Sequence, residues 1–123
     1  MNLISFLLIL SGVVLNAGAQ LLLKAGTNSL GILIFNREAI LSTLLRVALE
    51  PFIVVGLAVY ILSFVIWIAA LSKVDVSIAY PMLSIGYLIN AVAAWYFFGE
   101  VVSHQKIAGL VTIMLGVYLV ARS

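Results

Sequence analysis

The chain has 123 residues, of which 66% are apolar and only 8% are charged, and its net charge is +2. A soluble domain carries about 25% charged residues, so this composition predicts an integral membrane protein and excludes a nucleic-acid-binding module. Cysteine is absent, and one histidine with four acids supplies no constellation for a metal, a cofactor or a catalytic triad, which excludes the common enzyme classes.

The first uncharged run, Met1–Leu23, predicts a membrane span near residues 2–24. Within it, Ala17-Gly18-Ala19 resembles a signal-peptide cleavage site. However, no Lys or Arg precedes the apolar run, and Lys24 follows a stretch long enough to cross a bilayer. A retained helix is therefore favoured over a cleaved leader.

Three polar residues of this span are spaced four apart: Asn16, Gln20 and Lys24. The spacing predicts one helical face that grades from an amide in the bilayer core to a cation near the head groups. A lone lysine here would be a snorkelling anchor. Because buried amides in lipid need partners and usually face the bundle interior, we expect all three residues to line a substrate-binding face.

The connection after the first span contains two kinds of segment. Gly26, Asn28, Ser29 and Gly31 predict a loop, and Asn36 is a candidate helix cap. Arg37–Glu50 carries polar residues four apart opposite a row of leucines. This pattern predicts an amphipathic segment that either lies in the membrane interface or extends the next span.

The second predicted span covers residues 51–72, and Pro51 suits a helix start. Tyr60, Ser63 and Trp67 are spaced three and four apart, which predicts a second lining face. Because Trp67 lies near the end of the span, a place in an interfacial aromatic belt is the alternative.

The third span, near residues 76–98, is uncharged but rich in polar side chains, namely Tyr80, Ser84, Tyr87 and Asn90. The tyrosines and the serine are predicted to share one face, with the asparagine on the adjoining stripe. Pro81 cannot donate to the carbonyl of Ser77, and in lipid such a carbonyl must face protein or a water-filled cavity. These residues therefore predict a cavity lining; a helix start with tyrosines in an interfacial belt is the alternative.

The fourth span is predicted near residues 104–122, with Ser103 as its cap. Gly109, Thr112 and Gly116 form a stripe of small residues, which lets helix backbones approach closely in lipid. We assign this stripe, together with Pro81, to helix packing. The partner helix belongs either to another subunit or to the same one.

The distribution of Lys and Arg indicates how the spans are oriented in the membrane. Four of them (Lys24, Arg37, Arg46 and Lys106) fall on one side of the predicted spans, and Lys73 and Arg122 fall on the other. Cytoplasmic loops carry an excess of Lys and Arg, so the first and third loops are predicted to be cytoplasmic. The excess is small, and dual or reversed insertion remains open.

The run SIAYPMLSIGYLINAVAAWYFFGE, followed by a glycine-striped last helix, resembles the C-terminal repeat unit of the EamA-like drug/metabolite transporters. Within that group it is similar to four-helix members of the ArnE/ArnF type. The residues that carry the resemblance are Ile78 to Ser84, Gly99-Glu100, Gly109, Gly116 and the Gln20-x-x-x-Lys24 pattern of the first helix. The resemblance implies four helices per subunit, pairing of subunits, the bacterial inner membrane, and flipping of undecaprenyl phosphate bearing an aminoarabinose sugar.

The chain also resembles the small multidrug resistance proteins, which form antiparallel dimers. Those proteins carry an essential glutamate in helix 1, eight residues before a lysine. Here that position is Asn16, eight residues before Lys24. This difference argues against proton-coupled drug efflux.

Together these observations predict an all-α, four-helix transmembrane domain over residues 1–123 that acts as a homodimer or with a homologous subunit, because many transporters need two repeats. The predicted function is a transporter or flippase of a polyprenyl-phosphate-linked sugar or similar amphiphile, with no cofactor and no proton coupling through a helix 1 carboxylate. Two alternatives remain: a small multidrug or metabolite exporter, and an accessory subunit that does not itself transport.

Overall fold

The computed structural model describes residues 2–123, and that part of the chain folds into helices without any strand. The six helices are α1 (Leu3–Leu30), α2 (Ile40–Leu49), α3 (Pro51–Leu71), α4 (Val76–Met82), α5 (Ile85–Phe98) and α6 (His104–Arg122). Four stretches are long and apolar enough to cross a membrane: α1, α3, α4 together with α5, and α6. The predicted all-α, multi-pass architecture is confirmed.

The first helix is longer than its sequence predicts. It continues past Lys24 to Leu30, and the chain leaves the helix only at Gly31, where φ is 80°. The predicted loop at Gly26, Asn28 and Ser29 is therefore wrong. Gly26 is buried against Ile53 of α3, so helix packing overrides its weak helix propensity.

Helices α1 and α3 pack antiparallel along most of their lengths. Gly12 of α1 lies against Ser63 and Trp67 of α3. Gly26 lies against Ile53 of α3, and it follows Ala19 by two helical turns. Gly12, Ala19 and Gly26 are buried and seven residues apart, so they form a stripe that lets the two backbones approach closely. This stripe was not predicted, although its seven-residue spacing is visible in the sequence.

The buried core joins the two ends of the chain. It consists of Ile9, Val13, Ala70, Ala79, Met82 and Val117. Ile9 lies near the start of α1 and Val117 near the end of α6, so both termini lie at the same end of the bundle. The connection Gly31–Ala39 and the turn Gly99–Ser103 lie at the opposite end.

This arrangement predicts that both termini face the same side of the membrane. The chain has no native cysteine, so Asn2→Cys and Ser123→Cys can be prepared as separate single-cysteine variants. We expect a membrane-impermeant maleimide to label both from one face, and Asn36→Cys, in the opposite connection, from the other. In a uniformly inserted sample, labelling of the two termini from opposite faces would rule out four spans.

The third span is broken rather than continuous. Leu83 and Ser84 separate α4 from α5, two residues after Pro81. Amides of this segment bond carbonyls three residues earlier, as in Leu83 N–H to Tyr80 O and Gly86 N–H to Leu83 O. Such tight turns rotate the second half of the span relative to the first.

The amphipathic segment forms its own helix, α2, and does not extend α3, because Glu50 between them is extended (φ −70°, ψ 123°). Its polar side holds the connection in place: the Arg46 guanidinium donates to the carbonyl of Leu30 at 2.9 Å, and Thr43 Oγ1 donates to that of Ile34 at 2.7 Å. Its leucines are exposed, as expected for an interfacial helix. Asn36 Oδ1 accepts from the amide of Ala39 at 2.7 Å, in the turn that leads into α2.

Helix α6 begins where its sequence predicts, with Ser103 Oγ accepting from the amide of Lys106. It packs on α4 mainly near its C-terminal end. A Cβ added at Gly109 or Gly116 would meet no atom within 4 Å, and Thr112 is exposed and bonds the carbonyl of Ala108 in its own helix. The small-residue stripe thus does not pack within the subunit, and its packing against another subunit stays a prediction.

Candidate functional site

The polar side chains predicted to bind substrate are divided between two cavities. The first, which we call the central cavity, has a volume of about 260 Å³ and lies between α1, α3 and α4. Of the predicted residues it contains Asn16, Tyr60, Ser63, Trp67 and Tyr80. The structure therefore brings the predicted face of α3 together with the middle of α1 and the end of α4.

The second cavity, the lysine pocket, has a volume of about 370 Å³ and lies between α1, α5 and the start of α6. The predicted residues in it are Gln20, Lys24, Tyr87 and Asn90. Ser84 lines neither cavity, since it lies in the break between α4 and α5.

Two sets of residues that the sequence assigns to one helical face are divided between the two cavities. Asn16 lies with side chains of α3 and α4, whereas Gln20 and Lys24 lie with side chains of α5 and α6. Tyr80 and Tyr87 are separated because the break at Leu83 and Ser84 rotates α5 relative to α4.

The central cavity lies near the middle of the helix bundle. Asn16 is at the midpoint of α1. About one turn to either side of it, Gly12 lies at the level of Ser63 and Ala19 at the level of Gly56, both in the middle of α3. Ser63 is buried and its hydroxyl donates to the carbonyl of Tyr60 at 2.6 Å, whereas Tyr80 is 66% exposed. No acid and no histidine lines this cavity, so it offers amide and hydroxyl contacts without a titrating carboxylate.

The lysine pocket lies closer to the end of the bundle. Gly26 contacts Ile53, so Lys24 lies within about one helical turn of the start of α3, where Glu50 caps the helix. Lys24 is exposed, and deeper in the pocket Asn90 Oδ1 is inaccessible yet has no hydrogen-bond partner in the described residues.

Two charged residues of this pocket, Glu100 and Lys106, were not among the binding residues predicted from the sequence. Lys106 lies in the first turn of α6, and its Nζ donates to the carbonyl of Val101 at 3.0 Å. The only sequence signal was that Lys24 and Lys106 fall on the same side of the predicted spans. The pocket thus holds two ammonium groups and one carboxylate, which suits an anionic ligand that also carries hydroxyl or amino groups.

An apolar groove adjoins the lysine pocket. It has a volume of about 660 Å³, lies between α5 and the first half of α6, and is lined only by apolar side chains, Trp95 among them. Ala91 and Leu110 line both the groove and the pocket. The polar and apolar spaces are therefore adjacent.

The two cavities offer hydrogen-bonding and charged contacts to a ligand. Within residues 2–123 no group of three or more His, Asp or Glu side chains is placed to hold a metal ion. Neither cavity pairs a hydroxyl nucleophile with a histidine base.

Comparisons with known proteins agree with this picture. The profile of the EamA-like transporter family matches residues 21–122. The chain is 36% identical over 110 residues to the probable 4-amino-4-deoxy-L-arabinose-phosphoundecaprenol flippase subunit ArnF of Proteus mirabilis, covering 85% of this chain and 81% of the relative. It is also 36% identical over 124 residues to the ArnF subunit of the same description from Shewanella sediminis, covering 93% and 85%.

A shorter match involves the other subunit type. The chain is 39% identical over 62 residues to the probable flippase subunit ArnE of Pseudomonas aeruginosa, which covers 50% of this chain and 54% of the relative. No solved structure is significantly similar to the chain.

Proposed function

This chain belongs to the EamA-like transporter family, and we propose that it is a subunit of an inner-membrane flippase that moves a polyprenyl-phosphate-linked sugar across the bilayer. The observation that carries the proposal is the lysine pocket. Lys24 and Lys106 line it together, toward one end of the bundle, and the exposed Gln20 is available to the hydroxyl or amino groups of a sugar. A phosphate diester is an anion, and charge-assisted contacts to it are stronger than neutral ones.

The relatives support the same substrate class. Those with the widest coverage are described as flippase subunits for 4-amino-4-deoxy-L-arabinose-phosphoundecaprenol, a lipid phosphate with an amino sugar. The pocket fits such a head group because Glu100 is available to an ammonium group and the lysines to a phosphate.

We further propose that the subunit works as a dimer, either with a copy of itself or with a homologous four-helix subunit. Gly109 and Gly116 present an unoccupied small-residue face on α6, and the relatives include proteins described as ArnF and ArnE subunits. Four helices alone lack the second repeat that many transporters use for alternating access.

Native mass spectrometry of the purified protein tests both parts of this proposal. We expect the intact spectrum to show a dimer that retains a polyprenyl phosphate or its glycosylated form. The Lys24→Ala,Lys106→Ala variant should lose the lipid, and Lys73→Ala, in the turn at the opposite end, should keep it. Retention of the lipid by the double variant would contradict a phosphate site in the pocket.

The structure also predicts that the protein does not couple transport of lipophilic cations to protons. The central cavity has Asn16 at mid-depth and no acid, and Glu100 of the lysine pocket follows the end of α5. Proton relays through membranes usually use Asp, Glu or His, and an amide does not titrate near neutral pH. In proteoliposomes with an imposed pH gradient, we expect no accumulation of a quaternary ammonium dye.

The companion variant for this experiment is Asn16→Glu, which restores an acid at mid-depth. Gradient-dependent accumulation by the variant alone would show that the central cavity admits the dye and lacks only the carboxylate. Accumulation by the unmodified protein, or restored drug resistance in a sensitive strain, would favour the multidrug-exporter alternative.

A further inference from the structure

We infer that the apolar groove between α5 and α6 holds the polyprenyl chain of the transported lipid while its phosphate lies in the lysine pocket, so that the lipid enters the bundle sideways between these helices. This inference rests on the proposed function, and it adds where the hydrocarbon part of the substrate binds. The observation behind it is that a charged pocket adjoins a large uncharged groove.

The two spaces adjoin in the structure. Ala91 of α5 and Leu110 of α6 line both of them, so these two side chains form the boundary between the pocket and the groove. The groove exists because α6 packs on the core through Val117 near its C-terminal end, while its first half stands away from α5. Val111 and Leu115, which line the groove from α6, are more than half exposed.

The distribution of charge matches a lipid phosphate. Lys24, Glu100 and Lys106 all lie in the pocket, and no charged or polar side chain lines the groove. A ligand that fills both spaces must therefore have an anionic head and a long hydrocarbon tail. A transmembrane helix of a partner subunit fits less well, because an apolar helix would fill the groove alone and leave the cations of the adjoining pocket without an anion.

The groove is expected to position the chain rather than to supply most of the affinity. Lipid tails are as apolar as the groove, so moving a polyprenyl chain from the bilayer into it gains packing contacts but no hydrophobic free energy. The phosphate contacts supply the attraction, and the groove sets the direction in which the tail leaves the pocket. The informative measurement is therefore where the tail lies, not how tightly the lipid binds.

The experiment uses undecaprenyl phosphate that carries a photoreactive diazirine in its chain, added at low mole fraction to nanodiscs containing the full-length protein. After irradiation, mass spectrometry maps the labelled residues. We expect the label on groove residues such as Leu88, Val92, Val111 and Leu115, and its loss when excess unlabelled undecaprenyl phosphate is present. An equal excess of phosphatidylglycerol should leave it unchanged.

Two matched variants sharpen the test. Val111→Trp fills the groove and should remove the competed label from α5 and α6, whereas Leu119→Trp, two turns further along α6 and outside the groove, should keep it. Lys24→Ala,Lys106→Ala should lose the competed label everywhere, because the phosphate is no longer held.

The remaining outcomes overturn the inference in distinguishable ways. Competed label on the exposed face of α3, at Ile61 or Val65, would place the tail elsewhere and leave the proposed function intact. Absence of any competed label in the unmodified protein would overturn the inference and the proposed function together. Disulfide formation between two copies of a Val111→Cys variant would assign the groove to a partner helix instead.

Discussion

Replacement of Lys24 by glutamate is expected to abolish transport of the lipid-linked sugar. The ammonium group lines the lysine pocket within about one turn of the start of α3, where a lipid phosphate would lie. Charge reversal removes the attraction and adds repulsion between two anions. The pocket would then hold two carboxylates, the introduced one and that of Glu100, and Lys106 would be its single cation.

The graded variants separate a phosphate contact from a membrane anchor. A hydrogen bond to a charged group contributes about 1.5–3 kcal/mol, so Lys24→Ala should lower the transport rate at subsaturating lipid by at least about tenfold. Lys24→Arg should retain part of the activity because it keeps the charge but changes the geometry. If Lys24 only anchored α1 in the membrane, the alanine variant would transport the lipid at nearly the rate of the unmodified protein.

The measurement is flipping in proteoliposomes. A fluorescent polyprenyl phosphate analogue is protected from membrane-impermeant dithionite when it reaches the inner leaflet, which gives the rate directly. Lys73→Glu is the matched control, because this lysine lies in the turn after α3 and lines neither the pocket nor the central cavity. Unimpaired flipping by Lys24→Ala at matched protein levels would contradict a contact between Lys24 and the lipid phosphate.

A leucine at Gly56 is expected to disrupt the packing of α1 against α3 and to reduce the yield of folded protein. A Cβ at this position would lie 3.1 Å from Leu22 Cβ and 3.2 Å from the carbonyl oxygen of Ala19. Neither atom can move without shifting α1, so the larger side chain must separate the two helices. Overpacking of this kind costs about 1–3 kcal/mol or more.

Gly18 on α1 provides the matched control, since a Cβ added there meets no atom within 4 Å. Gly56→Ala should already lower the apparent Tm in detergent, and Gly56→Leu should lower it further or prevent isolation of a monodisperse protein. Gly18→Ala should leave the Tm unchanged or raise it, because alanine favours helix over glycine. Equal behaviour of the two alanine variants would show that α1 and α3 are not closely packed at Gly56.

Gly109→Leu extends the comparison to α6. This glycine meets nothing in its own subunit, so the variant should fold normally as a monomer. If the stripe packs against another subunit, the variant should shift from dimer to monomer in native mass spectrometry while its monomer stability is retained. A dimer that persists unchanged would place the subunit contact elsewhere.

The sequence by itself determined the features that depend on local periodicity and composition. Long apolar runs specified four spans because a bilayer requires about 20 apolar residues per helix. Helix starts followed from Pro51 and Ser103, which the structure uses as the first residue of α3 and the cap of α6. The absence of a mid-depth carboxylate near Asn16 was also visible in the residues alone.

Only the tertiary structure decided which faces meet. Asn16 lies in a different cavity from Gln20 and Lys24 because α1 packs between α3 and α5. Lys24 and Lys106 line the same pocket because α6 begins beside the end of α5. Helix contacts in lipid are not driven by burial of apolar surface, so hydropathy does not reveal them. They follow instead from close approach at small residues such as Gly26 and Gly56, which a single sequence marks only faintly.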